Sequence, residues 1–63
     1  MSFNECDAII TLVDKNNIPR GTIGTIVFCH KSSDYYEIEF CNSDGETTAF
    51  AVYNSKEIIR SFL

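Results

Sequence analysis

The segment Tyr35–Tyr53 constrains the fold more than any other part of the chain, because apolar and polar residues alternate in it on both sides of a turn. An alternation with period two indicates β-strands. Asn-Ser-Asp-Gly at 42–45 suits a three-residue hairpin loop, a type I turn followed by Gly45 in the left-handed conformation as a G1 bulge. The segment therefore predicts a hairpin with strands Tyr35–Cys41 and Glu46–Tyr53.

The register of this hairpin decides which side chains face the core. Asn42 is expected to pair with Glu46, and an uninterrupted ladder then places the large apolar residues on one face. The inward pairs are Tyr36 with Val52, Ile38 with Phe50, and Phe40 with Thr48. The solvent face would carry Tyr35 with Tyr53, Glu37 with Ala51, and Glu39 with Ala49. The interpretation rests on the free-energy cost of exposing Phe50 and Val52 to water.

The remainder of the chain also has the pattern of strands. Three further strands are predicted at Asp7–Val13, Ile23–His30 and Ile58–Phe62, with a loop at Asp14–Arg20. Pro19 and Gly21 suit the second and fourth positions of a type I turn, and Gly24 inside a strand indicates a bulge or a close backbone approach. Residues 54–57 suggest a helical turn, and a short C-terminal helix is the alternative for the last segment. We expect one all-β domain over residues 1–63, a small five-stranded SH3-like barrel.

Composition limits the kinds of partner. Nine acidic and five basic residues give a net charge of −4, which repels phosphate backbones and makes nucleic-acid binding unlikely as a general role. The start of the sequence has no basic and apolar export signal, and no apolar run approaches a membrane span, so we expect a cytoplasmic protein without a membrane contact. Three cysteines without paired spacing predict thiols rather than disulfides.

No pattern in the sequence indicates catalysis, a metal or another cofactor. Cys29 and His30 are adjacent on a predicted strand and point to opposite faces, so they cannot readily hold one ion. Glu37 and Glu39 lie two residues apart on an open strand, where both carboxylates stay solvated and ionised. With a single histidine and no pocket-forming excess of chain, we expect a protein that is not an enzyme.

Three runs of residues resemble a known family. They are RGTIGTIV at 20–27, YEIEF at 36–40 and DGET at 44–47. Together they resemble the small bacterial family known as domain of unknown function 4926. The resemblance implies an SH3-like barrel and carries no established activity. Part of the first run is also similar to the KOW-type turn of ribosome- and polymerase-associated barrels, and small single-domain proteins of this kind resemble immunity or antitoxin proteins.

The leading functional hypothesis is a small acidic protein-binding module of the immunity or antitoxin type. Its partner would be a basic protein such as a toxin nuclease, docked on an acidic face flanked by tyrosines. The predicted contact residues are Tyr35, Glu37, Glu39, Glu46 and Tyr53. One alternative is an RNA or ribosome contact through Lys15, Arg20 and Lys31. Another is a structural barrel that forms homo-oligomers through an edge strand. A third is that the acidic face is only solvated and binds no partner.

Overall fold

Five strands form one antiparallel sheet in the computed structural model, which describes residues 3–30 and 32–62. The strands are β1 (Ala8–Thr11), β2 (Ile23–His30), β3 (Tyr35–Cys41), β4 (Thr47–Asn54) and β5 (Ile58–Arg60). Their order across the sheet is β4-β3-β2-β1-β5. The all-β prediction is confirmed, and β2 and β3 have the predicted bounds, whereas β1 and β5 are shorter than expected.

The connection from β4 to β5 is a tight turn, and no residue of the described ranges is helical. The backbone N–H of Glu57 donates to the carbonyl of Asn54 at 3.0 Å, which closes a β-turn. Ile59 then pairs with Ile10 of β1. The last segment is therefore a strand, and the helical turn expected at 54–57 is a β-turn.

Gly24 allows β2 to pack closely against side chains of β3. A Cβ atom added at Gly24 would lie 2.5 Å from Cγ2 of Ile38 and 2.8 Å from the ring of Phe40. No side chain larger than hydrogen fits there. The sequence predicted either a bulge or a close backbone approach at Gly24, and the structure shows a close approach by side chains of β3. The strand order is consistent with the small barrel that the family resemblance implies.

The core lies on one side of the sheet, and the loop between β1 and β2 contributes Ile18 to it. Its buried apolar residues are Phe3, Ile9, Ile18, Ile26, Tyr36, Ile38, Phe40, Tyr53 and Ile58. Ile18 reaches the core from a two-residue hairpin, in which Lys15 and Ile18 exchange backbone hydrogen bonds of 3.0 and 2.8 Å. Gly21 has a φ of +88°, so it occupies a central turn position rather than the final one that we predicted.

The loop joining β3 and β4 has the predicted geometry. The N–H of Asn42 donates to the carbonyl of Glu46 at 2.9 Å, and Gly45 has a φ of +82°. Immediately after the loop, however, Cys41 pairs with Thr47 whereas Phe40 pairs with Ala49. Thr48 is therefore the extra residue of a second β-bulge, which reverses the inward and outward positions along the rest of β4.

The predicted register of β4 is consequently wrong. Ala49, Ala51 and Tyr53 face the core, while Phe50 and Val52 face solvent. The physical reason is space. The ring of Tyr53 is fully buried, 6.0 Å from that of Phe40, and the alanines lie opposite the bulky residues of β3, where a small barrel has no room for a second large side chain.

Candidate functional site

The solvent side of β2, β3 and β4 carries two carboxylates among exposed apolar side chains. We call this surface the outer face, and its residues are Phe28, His30, Tyr35, Glu37, Glu39, Phe50 and Val52. Its apolar members are 46% (Phe28), 48% (Tyr35), 64% (Phe50) and 45% (Val52) exposed. The three strands contain neither Lys nor Arg. The surface therefore joins negative charge to apolar area, and His30 is the one basic residue that its own strands supply.

A β-bulge in β2 places two of these residues. The register shifts between Ile26 and Phe28, so that Phe28 lies opposite Glu37 and His30 opposite Tyr35. Both side chains consequently point outward, while Cys29 between them packs against the core. Nothing in the residue types around the bulge signals it, and for that reason the sequence did not indicate Phe28 or His30 as part of this face.

Glu37, one of the two carboxylates of the outer face, has neighbours on both adjacent strands. Its Oε2 lies 2.9 Å from Nε2 of His30, whose ring meets that of Phe28 edge-on at a centroid distance of 4.7 Å. Val52 is its cross-strand neighbour on the other side. The carboxylate thus lies between two apolar side chains, which exclude part of the water that would otherwise screen it.

Glu39 is the second carboxylate, two residues along β3 and about 7 Å away at the rise of a strand. It accepts a hydrogen bond from the hydroxyl of Thr47, and Phe50 lies directly across from it on β4. Each carboxylate is therefore held by a polar side chain of a neighbouring strand. Such fixed carboxylates can receive a cation without first losing side-chain freedom.

Three of the five predicted contact residues lie on the outer face, namely Tyr35, Glu37 and Glu39. Tyr53 is fully buried, so its predicted role as an exposed anchor is wrong; the bulge at Thr48 turns it into the core. Glu46 is exposed in the hairpin loop, where its Oε1 accepts from Nδ2 of Asn42 at 3.2 Å. The sequence missed Phe50 and Val52, because the register derived from it placed them inside.

Lys15 links two loops rather than standing open to a nucleic acid. Its Nζ donates to the carbonyl of Val52 at 2.7 Å and to Oε1 of Glu57 at 3.0 Å, and it lies 4.5 Å from the centre of the Tyr53 ring. The pKa of Glu57 is lowered below its ordinary value, mainly by the hydrogen bond from the backbone N–H of Asn54 and secondly by the bond from Lys15. The pKa of Tyr53 is raised, mainly by burial and secondly by the negative charge of Glu57.

The other two residues of the predicted basic patch are placed differently. Arg20 is exposed in the turn before β2, where its backbone N–H donates to Oδ1 of Asp14 at 2.8 Å. Lys31 lies outside the described residues. Lys15 already bonds Val52 and Glu57. Among the described residues of the predicted RNA contact, Arg20 is therefore the one basic side chain left to bind a phosphate.

One family model, described as domain of unknown function (DUF4926), matches residues 5–60. The chain is a DUF4926 protein. Every residue of the outer face lies inside the matched region of this DUF4926 protein. No curated protein and no solved structure matches it. The described part of the DUF4926 protein holds no helix with the length and apolar character that crossing a membrane requires.

The sheet edges of the DUF4926 protein are protected against pairing with another strand. In the described chain β4 pairs only with β3, and β5 only with β1. The edge of β4 is interrupted by the bulge at Thr48. The carbonyl oxygen of Val52 on this strand already accepts a hydrogen bond from Nζ of Lys15. The edge strand β5 has only three residues. Bulges, lysines and short edge strands are the usual devices against strand addition.

A depression of about 440 Å³ lies beside β5 of the DUF4926 protein. It is lined by Phe3, Ser55, Ile58, Ile59, Arg60 and Phe62. Its guanidinium group is engaged, because Nη2 of Arg60 lies 3.1 Å from Oδ2 of Asp7 and the group covers the ring of Phe3. The pKa of Asp7 is lowered, mainly by the hydrogen bond from the backbone N–H of Asn4 and secondly by the bond from Arg60.

Across residues 3–30 and 32–62, no group of three or more His, Cys, Asp or Glu could hold a metal ion.

Proposed function

We propose that this DUF4926 protein is a protein-binding module and that its outer face docks on a partner presenting basic side chains beside apolar ones. The observation that carries the proposal is the exposure of Phe28, Phe50 and Val52 around Glu37 and Glu39. Aromatic side chains supply most of the binding energy in many interfaces, and charge complementarity sets orientation and association rate. This surface offers both properties.

Other classes of partner fit the outer face less well. Nucleic acids and anionic lipid surfaces would bring negative charge against Glu37 and Glu39. A second copy docked through the same face would bring together two surfaces that each carry these carboxylates and no Lys or Arg on their strands, which is unfavourable for the same reason. Self-association through a strand edge is opposed by the protected edges of β4 and β5. Of these classes of partner, a basic protein surface complements the outer face best.

More specifically, we propose that the partner is a toxin, for example a nuclease, and that this chain inhibits the toxin by covering its active surface. A nuclease needs a basic cleft for its substrate, and an acidic module of net charge −4 is complementary to such a cleft. The proposal includes a cytoplasmic location. It is supported by the three cysteines, which are thiols and not disulfides.

Affinity capture from the native host, with matched variants as bait, tests the proposal. We expect wild-type protein to retain a basic protein that is lost with Glu37→Lys combined with Glu39→Lys, and largely lost with Phe50→Ala. Ile59→Ala is the apolar control, because Ile59 is similarly exposed but lies on β5. Asp44→Lys is the charge control in the hairpin loop. Equal retention by all variants would contradict the proposal, as would an association rate that does not fall with rising salt.

The toxin form and the RNA alternative each have a separate test. Co-expression of this chain should rescue cells from the captured partner if that partner is toxic, and the double Glu-to-Lys variant should not. The RNA alternative predicts that wild-type protein retains RNA and that Arg20→Glu abolishes the retention. We expect no RNA retention by either protein, because the described patch reduces to one open basic side chain.

A further inference from the structure

A small depression in the outer face lies between two side chains of β4. It has a volume of about 100 Å³ and is lined by Glu37, Phe50, Ala51 and Val52. Phe50 and Val52 form its two walls, since they are two residues apart on the same side of the strand, and the backbone at Ala51 lies between them. Glu37 on β3 borders the depression from the neighbouring strand.

The size of the depression restricts what can occupy it. A volume of about 100 Å³ corresponds to roughly three water molecules of the liquid, at about 30 Å³ each. Pockets for metabolites or cofactors usually measure about 300–1,000 Å³, so this depression is too small for one. It can hold the end of a single protein side chain.

The chemistry of the lining restricts the occupant further. The walls are apolar and one is aromatic, while the carboxylate of Glu37 stands at the border. His30 bonds Oε2 of Glu37, and no hydrogen bond within residues 3–30 and 32–62 uses Oε1. A cation with an apolar stem fits this combination, because its stem can pack between Phe50 and Val52 and its charge can reach Glu37.

We propose that the depression receives an arginine side chain of the protein partner, and that Glu37 pairs with its guanidinium group. This inference rests on the proposed function and names the residue that the partner inserts. Arginine is preferred to lysine because its flat, weakly hydrated guanidinium stacks on an aromatic ring such as that of Phe50 and donates several hydrogen bonds in one plane. Lysine carries a compact, strongly hydrated charge that loses more on entering an apolar gap.

The test is a nuclear magnetic resonance titration of the full chain with the tripeptide acetyl-Leu-Arg-Leu-amide. Matched peptides replace arginine by citrulline, which has nearly the same shape without the charge, or by lysine. We expect the arginine peptide to shift the amide signals of Glu37, Phe50 and Val52. The citrulline peptide should bind about two- to fivefold more weakly, the range expected for one partly exposed ion pair, and lysine should fall between the two.

Variants assign the effect to the depression. Glu37→Gln should remove the difference between the arginine and citrulline peptides, whereas Asp44→Asn, which changes the net charge equally, should preserve it. Equal binding of the arginine and citrulline peptides to wild-type protein, shifts scattered over other surfaces, or no shifts would overturn the inference. Equal binding of lysine would overturn the preference for arginine. If the captured partner still depends on the outer face in any of these cases, the proposed function survives and only the arginine contact fails.

Discussion

The bulge at Thr48 predicts very different stability losses for two neighbouring aromatic residues of β4. An aromatic side chain buries about 150–250 Å² when fully enclosed, and each Å² contributes about 25 cal/mol. Phe50 is 64% exposed, so it buries about 70 Å², and Phe50→Ala should cost at most about 1.8 kcal/mol. Tyr53 is fully buried, so Tyr53→Ala should cost about 3–5 kcal/mol.

Urea denaturation followed by circular dichroism measures both losses. A domain of 63 residues has a total stability of about 3–9 kcal/mol, so Tyr53→Ala should remove about a third of it or more and should unfold the domain if the stability lies at the lower end, whereas Phe50→Ala should keep a cooperative transition. Ile59→Ala, at a similarly exposed apolar position, provides the comparison. A loss of 3 kcal/mol or more for Phe50→Ala together with a small loss for Tyr53→Ala, about 1 kcal/mol, would refute the reasoning, because it would return the strand to the register without the bulge.

Three further substitutions test the packing and electrostatics. Gly24→Ala should cost about 1–3 kcal/mol, measured by urea denaturation, because its methyl group would lie 2.5 Å from Cγ2 of Ile38; an unchanged midpoint would contradict the close approach. Tyr53→Phe should leave stability unchanged or raise it by about 1 kcal/mol in a thermal melt, since the buried hydroxyl has no hydrogen-bond partner in the described chain, and a loss above about 2 kcal/mol would reveal one. The pKa of Glu57 is lowered from 4.5, so its stabilisation is complete above pH 4.5 and disappears as the pH falls through the lowered pKa. The stability gap between wild type and Glu57→Gln in urea should therefore narrow as the pH falls from 7 towards the lowered pKa, and a constant gap would show that the negative charge of Glu57 contributes nothing to stability.

The parts of the fold that could be predicted from the sequence depend on local information. The alternation in β2 and β3 fixed their ends, because each strand is bounded by polar turn residues. The loop at Asn42–Gly45 was predictable because a left-handed position after a type I turn favours glycine. Gly24 indicated either a bulge or a close backbone approach, because glycine inside a strand often marks one of the two; the choice between them needed the positions of Ile38 and Phe40.

The two β-bulges could not be predicted in the same way. A bulge whose extra residue is Val27 or Thr48 needs no special residue type, so no local pattern marks it. The two registers of β4 differ in which side chains they bury, so choosing between them requires the packing of the complete core in each case. One register buries Phe50 and Val52, while the other buries Tyr53 with two alanines. The decision depends on the room left by β3 and by the loop before β2, which the sequence of the hairpin alone does not contain.

The same bulge accounts for both the stability of the core and the composition of the outer face. By admitting one extra residue, β4 turns Tyr53 inward, where it packs against Phe40 and lies under Lys15. The exchange necessarily turns Phe50 and Val52 outward beside the carboxylates of β3. Because the two sets of side chains alternate along one strand, substitutions on the outer face leave the buried set in place. The outer face can therefore change its apolar residues at a cost near that of Phe50→Ala, while the domain keeps its fold.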